Sequence, residues 1–458
     1  MNTTSAMDVP GFEGELIGPA DAAYEEARQV YNAMIDRHPA LLARCAGSDD
    51  VARVVDFARE NDVLLAVRGG GHNGAGLGTC DGGVVIDLAG LKQIEVDPGA
   101  RTVRVGGGCT WGEVDAATNE HGLATPSGII STTGVGGLTL GGGMGHLSRK
   151  CGLTIDNLLE AEVVLASGER VRAAEDENAD LFWAIRGGGG NFGVVTSFLF
   201  RLHEVGTVFG GPTFWDIDQS AEVLSAYREL ILAAPRELNG FFAYTSVPPA
   251  PPFPGELHGR KVCGVVWCYV GGEEEGAAAM APLLDAVPEP LMHGVQLMPF
   301  PALQTAFDAL YPKGDQWYWR ADFVNEIPDE AVAAHARFGP EMPSGQSTTH
   351  LYPIDGAAHD PGNSDTAWAY RDANWGSVFA GVDPDPANAA AIRDWSVDYF
   401  EALHPYSAGG AYVNMMMDEG QERVKASYGD NYERLARIKA EYDPGNLFRV
   451  NQNIEPGA

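Results

Sequence analysis

The 458-residue chain is poor in cysteine, in lysine and in long apolar runs, and each shortage excludes something. Its six cysteines (Cys45, Cys80, Cys109, Cys151, Cys263 and Cys268) are too sparse for a disulfide framework, so reduced, mostly structural thiols are expected. Cys263 and Cys268 sit in a strand-like apolar run and do not form a metal knuckle, and no metal is expected. Only 6 of the 30 basic residues are lysine, a bias that suits either a GC-rich genome or a high-salt cytoplasm. Against 63 acidic residues they leave a net charge of −33. A surface so negative repels phosphate backbones, which argues against nucleic acid as a partner. No stretch approaches the roughly 20 apolar residues of a membrane span. Met1 to Pro10 also lacks the basic start and apolar run of a secretory signal, so a cytoplasmic protein without a membrane partner is expected.

Glycine is abundant, at 58 residues against a usual share of roughly 7%. It concentrates between Gly69 and Gly193, where the backbone must approach something closely. The length is about three times that of a common single domain, so two cores are expected.

The pattern begins with a helix around Tyr24 to Ile35, then a helix capped by Asp49 or Asp50 with Val51, Val54, Val55 and Ala58 on one face. A strand over Val63 to Val67 runs into Arg68-Gly69-Gly70-Gly71-His72-Asn73-Gly74-Ala75-Gly76, and strands follow at Gly83 to Leu88 and Arg101 to Val105. Trp111 to Glu120 reads as helix, and Gly134 to Gly145 as a glycine-rich stretch leading to a short helix near Asp156. Glu160 to Ala166 and Val171 to Ala173 flank Ser167-Gly168-Glu169 as a hairpin. A helix over Asn178 to Ile185 and a strand over Gly193 to Leu202 close this α+β unit near Val205.

Beyond Gly206, strand-like runs at Lys261 to Val270, Trp317 to Val324, Ser347 to Ile354 and Trp368 to Phe379 alternate with helices. These are Ala221 to Ala234, Gly276 to Ala286 and Ala387 to Leu403. They predict an antiparallel sheet backed by helices, with Pro248 to Pro254 as a linker or surface loop. After a helix at Tyr432 to Tyr442, the closing residues Phe448 to Ile454 have no local partner and are expected to return to the first domain.

Successive backbone N–H groups in a glycine turn hold a phosphate without a basic side chain, and Gly69 to Gly76 supplies many of them just after a strand. Gly188, Gly190 and Gly193 match G-x-G-x-x-G, yet the β-like Val194-Val195-Thr196 follows where that motif needs a helix. A Rossmann fold is therefore disfavoured.

Several blocks now stand in one order: Val67-Arg68-Gly69-Gly70-Gly71-His72-Asn73, Gly82 to Leu88, Gly134-Val135-Gly136-Gly137 on to Gly143, Lys150 to Asn157, Asp180 to Thr196, and Asp443-Pro444-Gly445-Asn446-Leu447-Phe448-Arg449. Over essentially its whole length the chain resembles FAD-linked oxidases of the vanillyl-alcohol oxidase type, in the branch of berberine bridge enzyme and 6-hydroxy-D-nicotine oxidase. The resemblance implies a two-domain α+β flavoprotein. Its FAD-binding domain of the PCMH type spans residues 1–205 and is completed by 413–458, with a substrate domain over 206–412. It implies FAD bound covalently through the His72 imidazole to the 8α-methyl group. Arg68, Gly69, Gly70, Gly71, Asn73 and Gly76 belong to that histidine's segment. Thr132, Thr133, Gly134, Gly137 and Gly141 would flank the diphosphate and flavin, and Gly190 and Val195 the adenine.

Ile130 occupies the place of a cysteine that makes a second flavin bond in some relatives, which leaves one bond as the limit there. Thr133 stands where relatives often carry Val or Leu, and Leu138 where a histidine is seen. On the reacting side, Tyr412-Val413-Asn414 matches a Y-x-N strand whose alternate residues face the flavin, and His350 and Tyr352 share a strand face that Tyr370 could join. Trp317, Tyr318 and Trp319 could roof the site. Asn451 and Asn453 in the closing strand would either bond the flavin or stitch the tail down. All of these are also compatible with buried, satisfied polar or core residues. The activity implied is oxidation of a small alcohol, amine or carbohydrate, with hydride passing to the flavin and electrons to oxygen. A dehydrogenase with another acceptor and a non-catalytic flavin-binding protein are the alternatives.

Overall fold

The computed structural model describes residues 9–457, so the reading of the extreme N-terminus falls mostly outside the described residues. Strands β1 (Glu15–Ile17), β2 (Leu41–Arg44), β3 (Leu65–Arg68) and β4 (Val84–Asp87) form a mixed sheet in the order β1-β2-β4-β3. The β2-β4 and β3-β4 pairs are parallel. Its central strands are buried runs of Leu, Val and Ile, the composition of a sheet covered on both faces. The helix Ser48–Glu60 packs Val51, Val54, Val55 and Ala58 on one side, at the predicted spacing. Asp50 sits inside its first turn and accepts the backbone N–H groups of Glu13, Gly14 and Ala46, so it fastens the N-terminal segment instead of capping.

Further along come β5 (Ile94–Asp97), β6 (Thr102–Gly106), the short β7 (Leu123–Ala124), β8 (Leu158–Val164), β9 (Arg170–Ala174) and β10 (Val194–Arg201). All but β7 make a five-stranded antiparallel sheet, β5-β6-β10-β8-β9. The β8-β9 pair is the hairpin read at Ser167-Gly168-Glu169, and β7 pairs instead with β11 (His203–Glu204).

The third sheet contains β12 (Thr207–Asp216), β13 (Leu238–Ser246), β14 (Lys261–Tyr269), β15 (Met292–His293), β16 (Gln296–Pro299), β17 (Gln316–Val324), β18 (Thr348–Pro353) and β19 (Trp375–Asp383). The order is β15-β12-β14-β13-β18-β19-β17, with β16 also on β12, and every pair is antiparallel. The helices Ser220–Ala233, Asp329–Phe338 and Ala389–Leu403 cover one face, where Leu351 and Phe379 meet Tyr227, Val332 and Tyr399. The α+β class and the helix-backed antiparallel sheet expected from the sequence are those observed. Among the described residues no helix is long and apolar enough to cross a membrane.

Three local expectations fail and a fourth holds only in part. The helix read over Tyr24 to Ile35 is one turn, Tyr24–Ala27, because tertiary bonds pull the chain away. Tyr31 N–H donates to Gly71 O, and the Asn32 amide donates to the carbonyls of Gly74 and Trp317. The strand read from Trp368 begins only at Trp375, since Arg371 turns inward to pair with Asp156 at 2.7 Å. Tyr412 to Asn414 is not a strand but a single 3-10 turn, Val413–Met415, with Tyr412 at its N-cap. The closing residues Phe448 to Ile454 do return to the first domain, but as irregular chain held by side chains. Asn191 Oδ1 accepts Ile454 N–H, and the buried Lys439 ammonium donates to Asn191 O and Phe448 O while pairing with Asp443 at 2.6 Å.

Candidate functional site

The uncovered face of the third sheet points at the first two. Period-two alternation puts Trp317 and Trp319 of β17, Thr348, His350 and Tyr352 of β18, and Val378 and Ala380 of β19 on that face. The register sets Ala380 beside Trp319 and Thr348, and Val378 beside His350. Together they wall a cavity of about 340 Å³ that also takes in Gly69 to Asn73, Thr133, Gly134 and Gly136 to Leu138, Gly189 to Asn191 and Gly193 to Val195, Tyr412 to Met415, and Phe448 with Val450 to Gln452.

Beneath the loop after β3, Arg68 donates to Asp87 Oδ2 at 2.9 Å and to Ala27 O, a buried ion pair that ties β3 to β4. Gly71 has a φ of +71°, the left-handed region that favours glycine. Gly70 lies against a second glycine turn so tightly that an added Cβ would stand 2.4 Å from Gly134 N. Among the described residues, the N–H groups of Gly70, Gly71 and His72 donate to no protein acceptor.

The His72 ring stacks on Tyr31 with centroids 3.9 Å apart and planes 19° apart. Its Nε2 lies 3.2 Å from Thr132 Oγ1. The ring edge opens on the cavity, yet the surrounding protein desolvates it, and burial pushes its pKa down to about 4. A neutral imidazole, with one nitrogen engaged and the other available, is a nucleophile at neutral pH.

Across the cavity, Tyr412 Oη accepts Gly143 N–H at 3.0 Å and Asn414 Nδ2 at 2.8 Å, and burial pushes the phenol up to about 12. Asn414 also donates to Gly137 O at 2.9 Å. The two residues meet because the 3-10 turn folds them together, a different route from the strand alternation expected. His350 Nδ1 and Tyr352 Oη share a 2.6 Å hydrogen bond on β18, as the strand reading predicts. Burial pushes the imidazole down to about 3 and raises the phenol well above its ordinary value, so the pair is neutral. His350 Nε2 has no hydrogen-bond partner among the described residues.

Not every expected residue reaches the cavity. Gly76 shapes the loop, with φ +72° and no room beside Ile35 for a Cβ. Gly141 is the floor under Asn414, whose amide would meet an added Cβ at 2.4 Å. Thr132 touches His72 from outside the main cavity. Asn453 offers its carbonyl to Gln421, whereas Asn451 lines the cavity and also donates to the carbonyls of Gly190 and Phe448. Tyr370 stacks on Phe323 and donates to Ala426 O, away from the His350–Tyr352 pair. Tyr318 points off the roof that Trp317 and Trp319 form, toward Arg320.

An FAD binding domain model matches residues 39–174, and a berberine and berberine-like model matches residues 411–455. An FAD-linked oxidoreductase of Dictyostelium discoideum is 33% identical over 456 residues, covering 97% of this chain and 95% of its own length. The chain belongs to the berberine bridge enzyme-like FAD-linked oxidoreductases. Among solved structures, 6-hydroxy-D-nicotine oxidase from Arthrobacter nicotinovorans superposes with a TM-score of 0.87 at 26% identity over 100% of both chains. A chitooligosaccharide oxidase superposes with a TM-score of 0.82 at 25% identity, over 97% of this chain and 98% of its own.

The cavity of this berberine bridge enzyme-like chain fits FAD on its own geometry. Gly137 and Gly190 line it, and a Cβ added to either would meet nothing within 4 Å, so both leave space where a ligand can lie on bare backbone. Unpartnered amides at Gly70 to His72 suit a diphosphate, and Leu65, Val67, Leu88 and Val194 give one end an apolar slot suited to a flat base. Sequence reasoning missed Tyr31, Tyr311, Val378 and Ala380 on the walls. Only the alternation of β19, counted from Trp375, could have pointed to the last two.

Proposed function

We propose that this oxidoreductase is an oxidase of a small alcohol, amine or carbohydrate, with FAD joined covalently to His72 and oxygen as the final acceptor. The observation that carries the reading is the His72 imidazole: neutral, stacked flat on Tyr31, held at Nε2 by Thr132, and set at the end of a loop with free backbone amides. In this reading residues 1–205 and 413–458 hold the cofactor and 206–412 supply the sheet over the substrate. The turn Gly69 to Asn73 with Thr133, Gly134 and Gly137 holds diphosphate and flavin, while Gly190, Val195 and Asn451 border the adenine. The resemblance to 6-hydroxy-D-nicotine oxidase and to a chitooligosaccharide oxidase supports oxidase chemistry over other acceptors. Six unpaired thiols suit the reducing cytoplasm.

Bound FAD supplies a two-electron acceptor, and the protein supplies position and proton handling. Tyr412 and Asn414 brace one another against the backbone of Gly137 and Gly143, a fixed polar edge for the reacting centre. His350, neutral and tethered by Tyr352, offers Nε2 to a substrate hydroxyl. A hydroxyl on a carbon that is losing hydride becomes a strong acid, so even this weakly basic imidazole can take its proton.

The test is to mix the purified yellow protein anaerobically with alcohols, amines and sugars, then admit air. Bleaching by at least one compound and stoichiometric peroxide on reoxidation are expected. Bleaching without peroxide in air points to another acceptor, and no bleaching by any compound contradicts catalysis.

A further inference from the structure

We propose that the substrate is an uncharged alcohol with a compact apolar body, and that neither an ammonium nor a sugar is turned over well. This rests on the oxidase reading above and narrows its substrate class. No Asp, Glu or Lys lines the cavity. Its one permanent cation, Arg68, is already engaged by Asp87, and both of its histidines are held neutral by burial. Buried or half-buried carboxylates outside its lining are already taken: Asp87 by Arg68, Asp308 by Ser131, Asp315 by Gln346, Asp322 by Arg423 and His404, and Glu419 by Arg320. An ammonium placed against the sheet would therefore lose its water without gaining an opposite charge.

A sugar fails on a different count. Each ring hydroxyl needs a partner, and the polar groups of this wall are mostly engaged within the protein. Thr348 Oγ1 donates to Tyr244 O, the Tyr31 hydroxyl donates to Tyr311 O, and Tyr412 and Asn414 bond each other and the backbone. On the sheet, Trp317 Nε1 and Trp319 Nε1 also lack partners but are closed off from solvent, so His350 Nε2 is the atom there that suits one hydroxyl. Around it the wall is Tyr311, Trp317, Trp319, Val378, Ala380 and Met144, surfaces that receive apolar groups. In the reaction the carbinol C–H and O–H bonds break and a C=O bond forms. The C–H hydrogen leaves with two electrons to FAD, and the hydroxyl proton goes to His350 and on to solvent.

The experiment uses the FAD-loaded protein and three matched probes at pH 7: benzyl alcohol, benzylamine and cellobiose. Each is titrated against the visible spectrum of the bound flavin for affinity, then mixed anaerobically for bleaching rate. Benzyl alcohol should bind at least about tenfold more tightly than benzylamine, and cellobiose should leave the spectrum unchanged. Val378→Asp puts a carboxylate on the sheet wall beside His350 and should reverse the preference toward benzylamine; Ala380→Asp, one register pair along beside Thr348, is the second placement if Val378→Asp fails to load FAD. Equal or tighter binding of benzylamine or cellobiose by the unmodified protein overturns the proposal, as does an unchanged preference in a loaded variant. A protein that takes up no FAD defeats the earlier reading instead, and the two failures are told apart by colour.

Discussion

At the residue scale, the site depends on atoms that are missing as much as on atoms that are present. Gly70 and Gly134 press backbone on backbone, and an added methyl on either would enter the other's main chain. Gly70→Ala is expected to cost about 1–3 kcal/mol, the usual penalty for overpacking, and to lower FAD content, read by denaturant unfolding and by the flavin-to-protein absorbance ratio. Stability and flavin content equal to the parent would show that the contact is slack. The His350–Tyr352 pair makes a different demand, since in the proposed reaction it handles a proton and is not needed for the fold. His350→Gln should lower kcat by about 10²- to 10⁴-fold while flavin content stays at the parent level. A loss of flavin in parallel with activity would mark His350 as structural.

At the scale of elements, one buried lysine reinforces the direct bonds of Asn451, Gln452 and Ile454 that join the tail to the glycine turn at Gly189 to Asn191. Lys439 bridges Asp443, Asn191 O and Phe448 O. Lys439→Met leaves Asp443 buried without a counter-charge, and should cost about 3–5 kcal/mol in denaturant unfolding, with weaker FAD retention if the turn it holds borders the adenine as proposed. Elements whose own periodicity matches their burial were legible in the sequence: the β8-β9 hairpin, the helices Ser48–Glu60 and Ala389–Leu403, and the alternation of β18 that pairs His350 with Tyr352. Elements decided by distant partners were not. Tyr31 leaves its helical pattern to stack on His72, and Tyr412 meets Asn414 through a turn that no local pattern marks. β12 and β13 escaped notice because Gly210, Gly211 and Pro212 interrupt the one and Asn239 and Gly240 the other, residues that weaken a strand signal, whereas the equally buried β14 is a nearly continuous apolar run. Motif blocks pointed to the glycine loop that borders the cavity because glycine there is required by contact, whereas the sheet wall of Val378 and Ala380 carries no such constraint.

At the scale of the whole molecule, burial of titratable groups sets a pH dependence. His146, His335 and His350 are enclosed, and desolvation pushes each down to about 3. Below the ordinary histidine value of about 6.5 the unfolded chain takes up protons that the folded chain refuses until about pH 3. Stability therefore falls as pH drops through that window, by about 1.4 kcal/mol per group per pH unit well inside it. Asp115, raised by burial to about 7, acts the other way, because the folded chain keeps a proton that the unfolded chain releases above about pH 4. Three groups outweigh one, so unfolding midpoints in urea should be lower at pH 5 than at pH 7. Equal midpoints would show that water reaches these histidines.

The account as a whole stands on a flavin welded to His72. Its most direct measurement is the intact mass of the purified protein after acid denaturation, with His72→Ala as the control. The account predicts a yellow precipitate whose mass exceeds that of the polypeptide by one FAD, and a His72→Ala protein of bare polypeptide mass that gives up all its colour to the acid supernatant. A parent protein of bare polypeptide mass, with its flavin wholly in the supernatant, would contradict it.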